Sequence, residues 1–90
     1  MKSNSSYFVY ILKCADKTFY IGITNDIKKR VEAHNTLKTG AKYTRARRPV
    51  KLVYYEKLKN KNMALKREYA LKQLTREEKK LLIKTKGVYK

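Results

Sequence analysis

Six consecutive residues, Tyr7-Phe8-Val9-Tyr10-Ile11-Leu12, are aromatic, β-branched or aliphatic with no polar interruption. A strand that is apolar at both parities must be covered on both faces, which in a small sheet means a central position. A second segment of the same kind, Thr18-Phe19-Tyr20-Ile21-Gly22-Ile23, follows the polar connection Ala15-Asp16-Lys17, so the two read as a hairpin. With a three-residue loop, Cys14 pairs with Thr18, and Tyr10 and Tyr20 point to one face. A two-residue loop would send them to opposite faces, because side chains alternate with a period of two.

The rest of the chain supplies helices and one more strand. Thr24-Asn25-Asp26 offers capping oxygens for a helix from Ile27 to about Asn35, with Ile27, Val31 and His34 along one stripe and Arg30 on its flank. Gly40 and Pro49 bracket a loop-like stretch, Lys38 to Arg48, with room for one helical turn. Val50 to Glu56 is the third strand, read with Leu52 and Tyr54 on one face and Val53 and Tyr55 on the other. A helix is expected from Asn60 to about Leu74, with Met63, Ala70, Leu71 and Leu74 on its apolar face and Arg67 anomalously inside that face. Thr75-Arg76-Glu77-Glu78 is a capping box that opens a last helix to about Lys84, with a frayed tail from Gly87. The fold class is therefore α/β of the α+β kind. The expected domain is a small three-stranded mixed or antiparallel sheet flanked by helices, with its core over 7–84 and flexible ends at 1–6 and 85–90.

Charge narrows the partners. Twenty-four Lys and Arg against seven Asp and Glu give a net charge of +17 on 90 residues, the electrostatic footprint of a nucleic-acid binder. Ribosomal proteins, nucleases and repressors share that footprint, so charge gives a polyanion partner and no reaction. Anionic-membrane binders share the footprint too, but nucleic acid is the expected partner and no membrane is; the longest apolar run is too short to span a bilayer, and the polar Met1 to Ser6 does not resemble a secretory signal. A single cysteine excludes an internal disulfide and a Cys-rich zinc site, in keeping with a reduced, cytoplasmic setting. Self-repulsion of such a surface favours a monomer in isolation.

Most catalytic classes fail on inventory. One His excludes a His-rich metal site, and no G-x-S-x-G, P-loop or H-E-x-x-H occurs. Seven acids are too few for a multi-carboxylate two-metal site, so any metal would sit on one carboxylate, water and substrate phosphate, as Mg²⁺ tolerates. What remains is a set of tyrosines, arginines and one or two glutamates. The acid-free run with Lys38, Lys42, Arg45, Arg47, Arg48 and Lys51, interleaved by Tyr43, suits a phosphate track with a base-stacking aromatic; otherwise it is a solvated loop.

Val9-Tyr10-Ile11, then Tyr20-Ile21-Gly22, then Asn25-Asp26-Ile27-Lys28-Lys29-Arg30, resembles the core of the GIY-YIG nuclease superfamily. From Tyr7 to about Leu82 the chain is similar to small stand-alone bacterial members, whose pattern also includes Gly40-Ala41-Lys42-Tyr43-Thr44-Arg45-Ala46-Arg47-Arg48-Pro49. The resemblance implies catalytic roles for Tyr10, Tyr20 and Arg30, with His34 near the scissile phosphate. It also implies metal binding by Glu68 and a close approach of backbone and substrate at Gly22. Phe8 stands at the first half-motif's nominal glycine, Ile23 where repair-type members carry lysine, and Lys80 roughly where some carry asparagine.

The implied function is a DNA-binding endonuclease dependent on one divalent ion, Mg²⁺ or else Mn²⁺, with no small-molecule cofactor. The alternative is a basic module that binds DNA or RNA with little turnover. A tyrosine hydroxyl, ordinarily titrating near 10, would serve as general base only if Arg30, a metal or the positive field lowered that value. Residue by residue, bland readings also exist: strand tyrosines as core, Glu68 as the i,i+4 partner of Lys72, and His34 as a satisfied histidine.

Overall fold

The computed structural model describes residues 6–36 and 42–87. Its elements are strands β1 (Tyr7–Lys13) and β2 (Phe19–Thr24), helices α1 (Ile27–Thr36) and α2 (Lys42–Arg45), strand β3 (Lys51–Leu58), and helices α3 (Lys61–Lys72) and α4 (Arg76–Lys86). The sheet is antiparallel in the order β2-β1-β3, so the strand that is apolar on both faces is the central one. Val9 and Ile11 pack with Ile21, Val53, Tyr54 and Leu71 beneath α3 and α4. Tyr10 and Leu12 pack on the opposite face with Cys14 and Val50, covered in part by Ile27 and Val31 of α1. No helix among the described residues is long and apolar enough to cross a membrane.

The hairpin has the three-residue loop. Cys14 N donates to Thr18 O at 2.8 Å, and the register sets Tyr10 opposite Gly22 and Leu12 opposite Tyr20. Tyr10, Gly22 and Tyr20 therefore share the α1 face of the sheet.

Three local expectations are corrected. Leu52 and Tyr54 do not share a face, because Ile11 pairs with Tyr54 while Leu12 pairs with Leu52, leaving Val53 as a bulge residue. One inserted residue shifts the alternation by one place, so Leu52 joins the Tyr10 side and Tyr54 the Ile11 side. On α3, Met63 and Ala70 are exposed, and the buried stripe runs through Ala64 and Leu71 with Arg67 and Glu68 half-buried between them. Arg67 is tolerated there because it grips the Glu56 carboxylate of β3 through Nε at 2.9 and 3.1 Å and through a second nitrogen at 2.9 Å. Burial opposes ionisation of Glu56, but bonds from Arg67 and Tyr54 hold its pKa below the usual value. Finally, α4 continues to Lys86, and Gly87 is buried as its C-cap, with its N–H on Ile83 O. A Cβ there would stand 2.5 Å from Val53 O, so the glycine permits a close approach of helix end and sheet.

Candidate active site

Helix α1 starts where the Asp26 carboxylate accepts from Lys29 N at 3.1 Å. That start fixes the helical phase, bringing Ala33 and His34 to the buried side and leaving Arg30 half-buried beside them. His34 is fully buried, and its Nε2 lies 2.8 Å from the Tyr10 hydroxyl, its Nδ1 2.8 Å from Thr44 Oγ1. Tyr10 and Thr44 are also sealed, at 1% and 0% exposure. A line of three buried polar groups thus ties β1 to α1 and α2. Arg30 hydrogen-bonds the Tyr10 oxygen and can only donate, so the phenolic proton is left for Nε2 and Nδ1–H donates to Thr44.

Gly22 makes room for this arrangement. A Cβ at Gly22 would lie 2.6 Å from the Tyr10 hydroxyl oxygen, 2.8 Å from Cζ and 3.1 Å from a Tyr20 ring carbon. The space the missing side chain opens is filled by Tyr10, where the resemblance implied a close approach of substrate. Gly22→Ala is expected to destabilise the domain by about 1–3 kcal/mol through overpacking, read as a lower urea midpoint with unchanged m. An unchanged midpoint would mean that the Tyr10 ring moves aside without loss.

Tyr20 is half-buried, its ring edge-on to His34 at 5.1 Å and 6.4 Å from the Tyr10 ring. It meets Tyr43 of α2 at 6.0 Å, and the Arg47 guanidinium lies 3.9 Å over the Tyr43 ring. Glu68 enters from α3 with its side chain 19% exposed, paired with Lys72 at 3.3 Å, and its charge reaches Tyr10. Tyr10, Tyr20, Arg30 and Glu68 therefore form one neighbourhood, although they come from both strands of the hairpin and from helices far apart in sequence.

Burial dominates the electrostatics. It pushes the Tyr10 hydroxyl up to about 12, helped by Tyr20 and Glu68; the hydrogen bond and charge of Arg30 pull the other way and lose. The expected lowering of a tyrosine pKa by the basic field does not occur at Tyr10. His34 is held down to about 4, first by burial and then by the charges of Arg30 and Arg48, so it is neutral at pH 7. With both ring nitrogens engaged and no exposed surface, His34 positions Tyr10 and does not stand where a phosphate reaches it.

The basic run is divided by the fold. Lys38 lies outside the described residues. Lys42, Arg45 and Lys51 are exposed, and Tyr43 is 38% exposed. Arg48 instead donates to the carbonyls of His34 and Ala33 at the end of α1, where a cation also suits the helix dipole. Arg47 pairs with Asp16 at 3.0 Å and donates to Tyr43 O at 2.9 Å, strapping the hairpin loop to α2. Two of the expected gripping arginines are thus structural ties. Sequence reading missed Thr44; its only signal was a hydroxyl in a charged run, and nothing marked it as inward.

Residues 6–81 match the family model of the GIY-YIG catalytic domain. The chain belongs to the GIY-YIG family. A UPF0213 protein of Clostridium perfringens (strain 13 / Type A) is 54% identical over 81 residues, covering 90% of this chain and 86% of the relative. One from Desulfotalea psychrophila is 52% identical over 79 residues, covering 88% and 72%. The solution structure of a UPF0213 protein from Bacillus halodurans superposes with a TM-score of 0.60 at 39% identity, covering 93% of this chain and 88% of that one. An E. faecalis protein gives 0.61 at 42% identity, covering 94% and 90%. The GIY-YIG domain places the chain in a nuclease family that is generally dependent on divalent metals.

Whether this GIY-YIG site suits a metal can be judged from its donors. Among the described residues no group of three or more His, Cys, Asp or Glu forms a cage. Glu68 is the carboxylate that the Tyr10 neighbourhood offers. That set fits Mg²⁺ held by one carboxylate, water and substrate phosphate, provided the Lys72 ammonium gives way.

Proposed function

We propose that the chain binds DNA and hydrolyses its phosphodiester bonds with the help of one divalent ion. The observation that carries this reading is the convergence of Tyr20, Arg30 and Glu68 around the Tyr10 hydroxyl. Arg30 offers an always-charged fork for two phosphate oxygens, held in place by its bond to Tyr10. Tyr20, half-buried where Tyr10 is sealed, is the tyrosine that meets the attacking water. Glu68 would hold the ion, which supplies charge neutralisation at the phosphate and at the leaving oxygen. Tyr43, Lys42, Arg45 and Lys51 would guide the backbone toward these groups. A cytoplasmic setting, a monomer before DNA binding, and DNA in preference to RNA belong to the same reading.

A second reading is favoured by the Glu68–Lys72 pair: if Lys72 keeps the carboxylate, the domain binds nucleic acid without cutting it. Supercoiled plasmid separates the two. Wild-type protein is expected to nick it with Mg²⁺ or Mn²⁺ and to stop in EDTA, and Glu68→Gln to lose nicking while binding a labelled duplex as before. Absence of metal-dependent nicking by the wild type, with duplex binding intact, would establish the second reading, and equal metal-dependent nicking by both proteins would remove Glu68 from the site.

A further inference from the structure

Away from the Tyr10 neighbourhood, the closed end of the β1–β2 hairpin carries a second concentration of positive charge. Lys13, Lys17 and Lys51 are exposed and together line a pocket of about 370 Å³ floored in part by Cys14 and Val50. Two features of this arrangement work against stability. Lys13 and Lys51 are direct cross-strand partners of β1 and β3, where like charges repel. Lys17 has φ 73°, in the left-handed region where glycine or asparagine is the low-strain choice.

The loop's own carboxylate is engaged by other partners. Asp16 accepts from the Thr18 hydroxyl at 2.6 Å and from Thr18 N at 3.1 Å, and it pairs with Arg47. Backbone donors are engaged as well, since Ala15 N donates to Arg47 O and Lys17 N to Cys14 O. Recognition in this pocket therefore falls to the ammonium groups. Its position is also informative: Arg47 ties the loop to Tyr43, and Tyr43 packs on Tyr20, so the pocket is joined by contacts to the candidate active site.

We propose that Lys13, Lys17 and Lys51 form a second phosphate subsite, which takes a backbone phosphate of the DNA outside the nucleotide being cut. The proposal rests on the reading of the chain as a DNA-binding protein. The test is the double variant K13Q/K17G, in which glycine suits the loop's backbone. Fluorescence anisotropy of a labelled duplex against salt is expected to give a slope smaller by about 1–2 than wild type, since each phosphate contact contributes about 0.9. Nicking at saturating DNA should be unchanged, and the variant's Tm equal or higher because repulsion and strain are relieved. Amide shifts at Ala15, Lys17 and Lys51 on titration with pyrophosphate should appear in wild type and vanish in the variant. An unchanged salt slope overturns the proposal; with pyrophosphate shifts present, it would leave an anion pocket that DNA does not use. A reduced slope in a protein that never nicks would instead remove the cleavage reading and leave this subsite standing.

Discussion

Arg30→Ala is expected to slow plasmid nicking about 10²–10³-fold, as removal of one preorganised group facing developing charge does elsewhere. The side chain stands between two demands. Its charge acts on both Tyr10 and His34, and its hydrogen bond holds the Tyr10 oxygen. Removing it takes away the phosphate fork and frees the phenol that orients it. Arg30→Lys keeps the charge but not the planar pair of donors, so it should recover binding more fully than rate. Single-turnover nicking gives the rate, and the salt dependence of duplex binding gives the contact, with a slope smaller by about 1 for Arg30→Ala. Equal losses in binding and rate at saturating DNA would make Arg30 one more member of the basic surface. Retention of full rate would remove it from the site.

Much of this geometry was legible before the structure, and the reasons are local. The hairpin register follows from loop length and a period of two: the sequence narrows it to two alternatives, and the three-residue loop puts Tyr10 and Tyr20 on one face. The central place of β1 follows from apolar residues at both parities. Reading failed where long-range pairing decides the outcome. The bulge at Val53 is set by how β3 meets β1, and nothing within β3 announces it. The buried stripe of α3 contains Arg67 because Glu56 and Tyr54 wait for it on another strand. The same displaced stripe turns Glu68 inward, so the residue expected to hold a metal lies beside the one that looked anomalous. Arg47 and Arg48 read as charge alone, yet a helix end and a hairpin loop each needed one of them. Tyr10 and His34 were chosen through resemblance, but only the fold shows them sealed and bonded to each other.

Folding stability should fall as pH drops from about 6.5 toward 4, and His34 should be the reason. The unfolded chain takes up a proton at His34 as pH passes 6.5, whereas the folded chain resists until about 4. Between those values the unfolded state binds more protons, so stability is lost on acidification by up to about 1.4 kcal/mol per pH unit. The full window corresponds to about 3 kcal/mol, and for a domain of this size each kcal/mol moves Tm by roughly 4–8 °C. Glu56 overlaps only the acid end of this window, and Asp16 lies below it. Asp16 and Glu56 titrate below their ordinary values of 3.8 and 4.5, so their contributions are present above that range and fade only at lower pH. Urea unfolding at pH 7, 6, 5 and 4.5 measures the slope. His34→Phe should be less stable at pH 7, since it removes the buried acceptor of the Tyr10 hydroxyl and the ring nitrogen bonded to Thr44, but much flatter across the window. A wild-type slope matching that of His34→Phe would place the acid sensitivity elsewhere. The proton also has a consequence at the site. A His34 protonated in the folded chain can no longer accept from Tyr10, so the bond that orients the phenol whose oxygen takes the Arg30 donor is broken. In the folded chain that proton arrives only near pH 4, so Arg30-dependent nicking should hold through the upper part of this pH range and fall at its acid end.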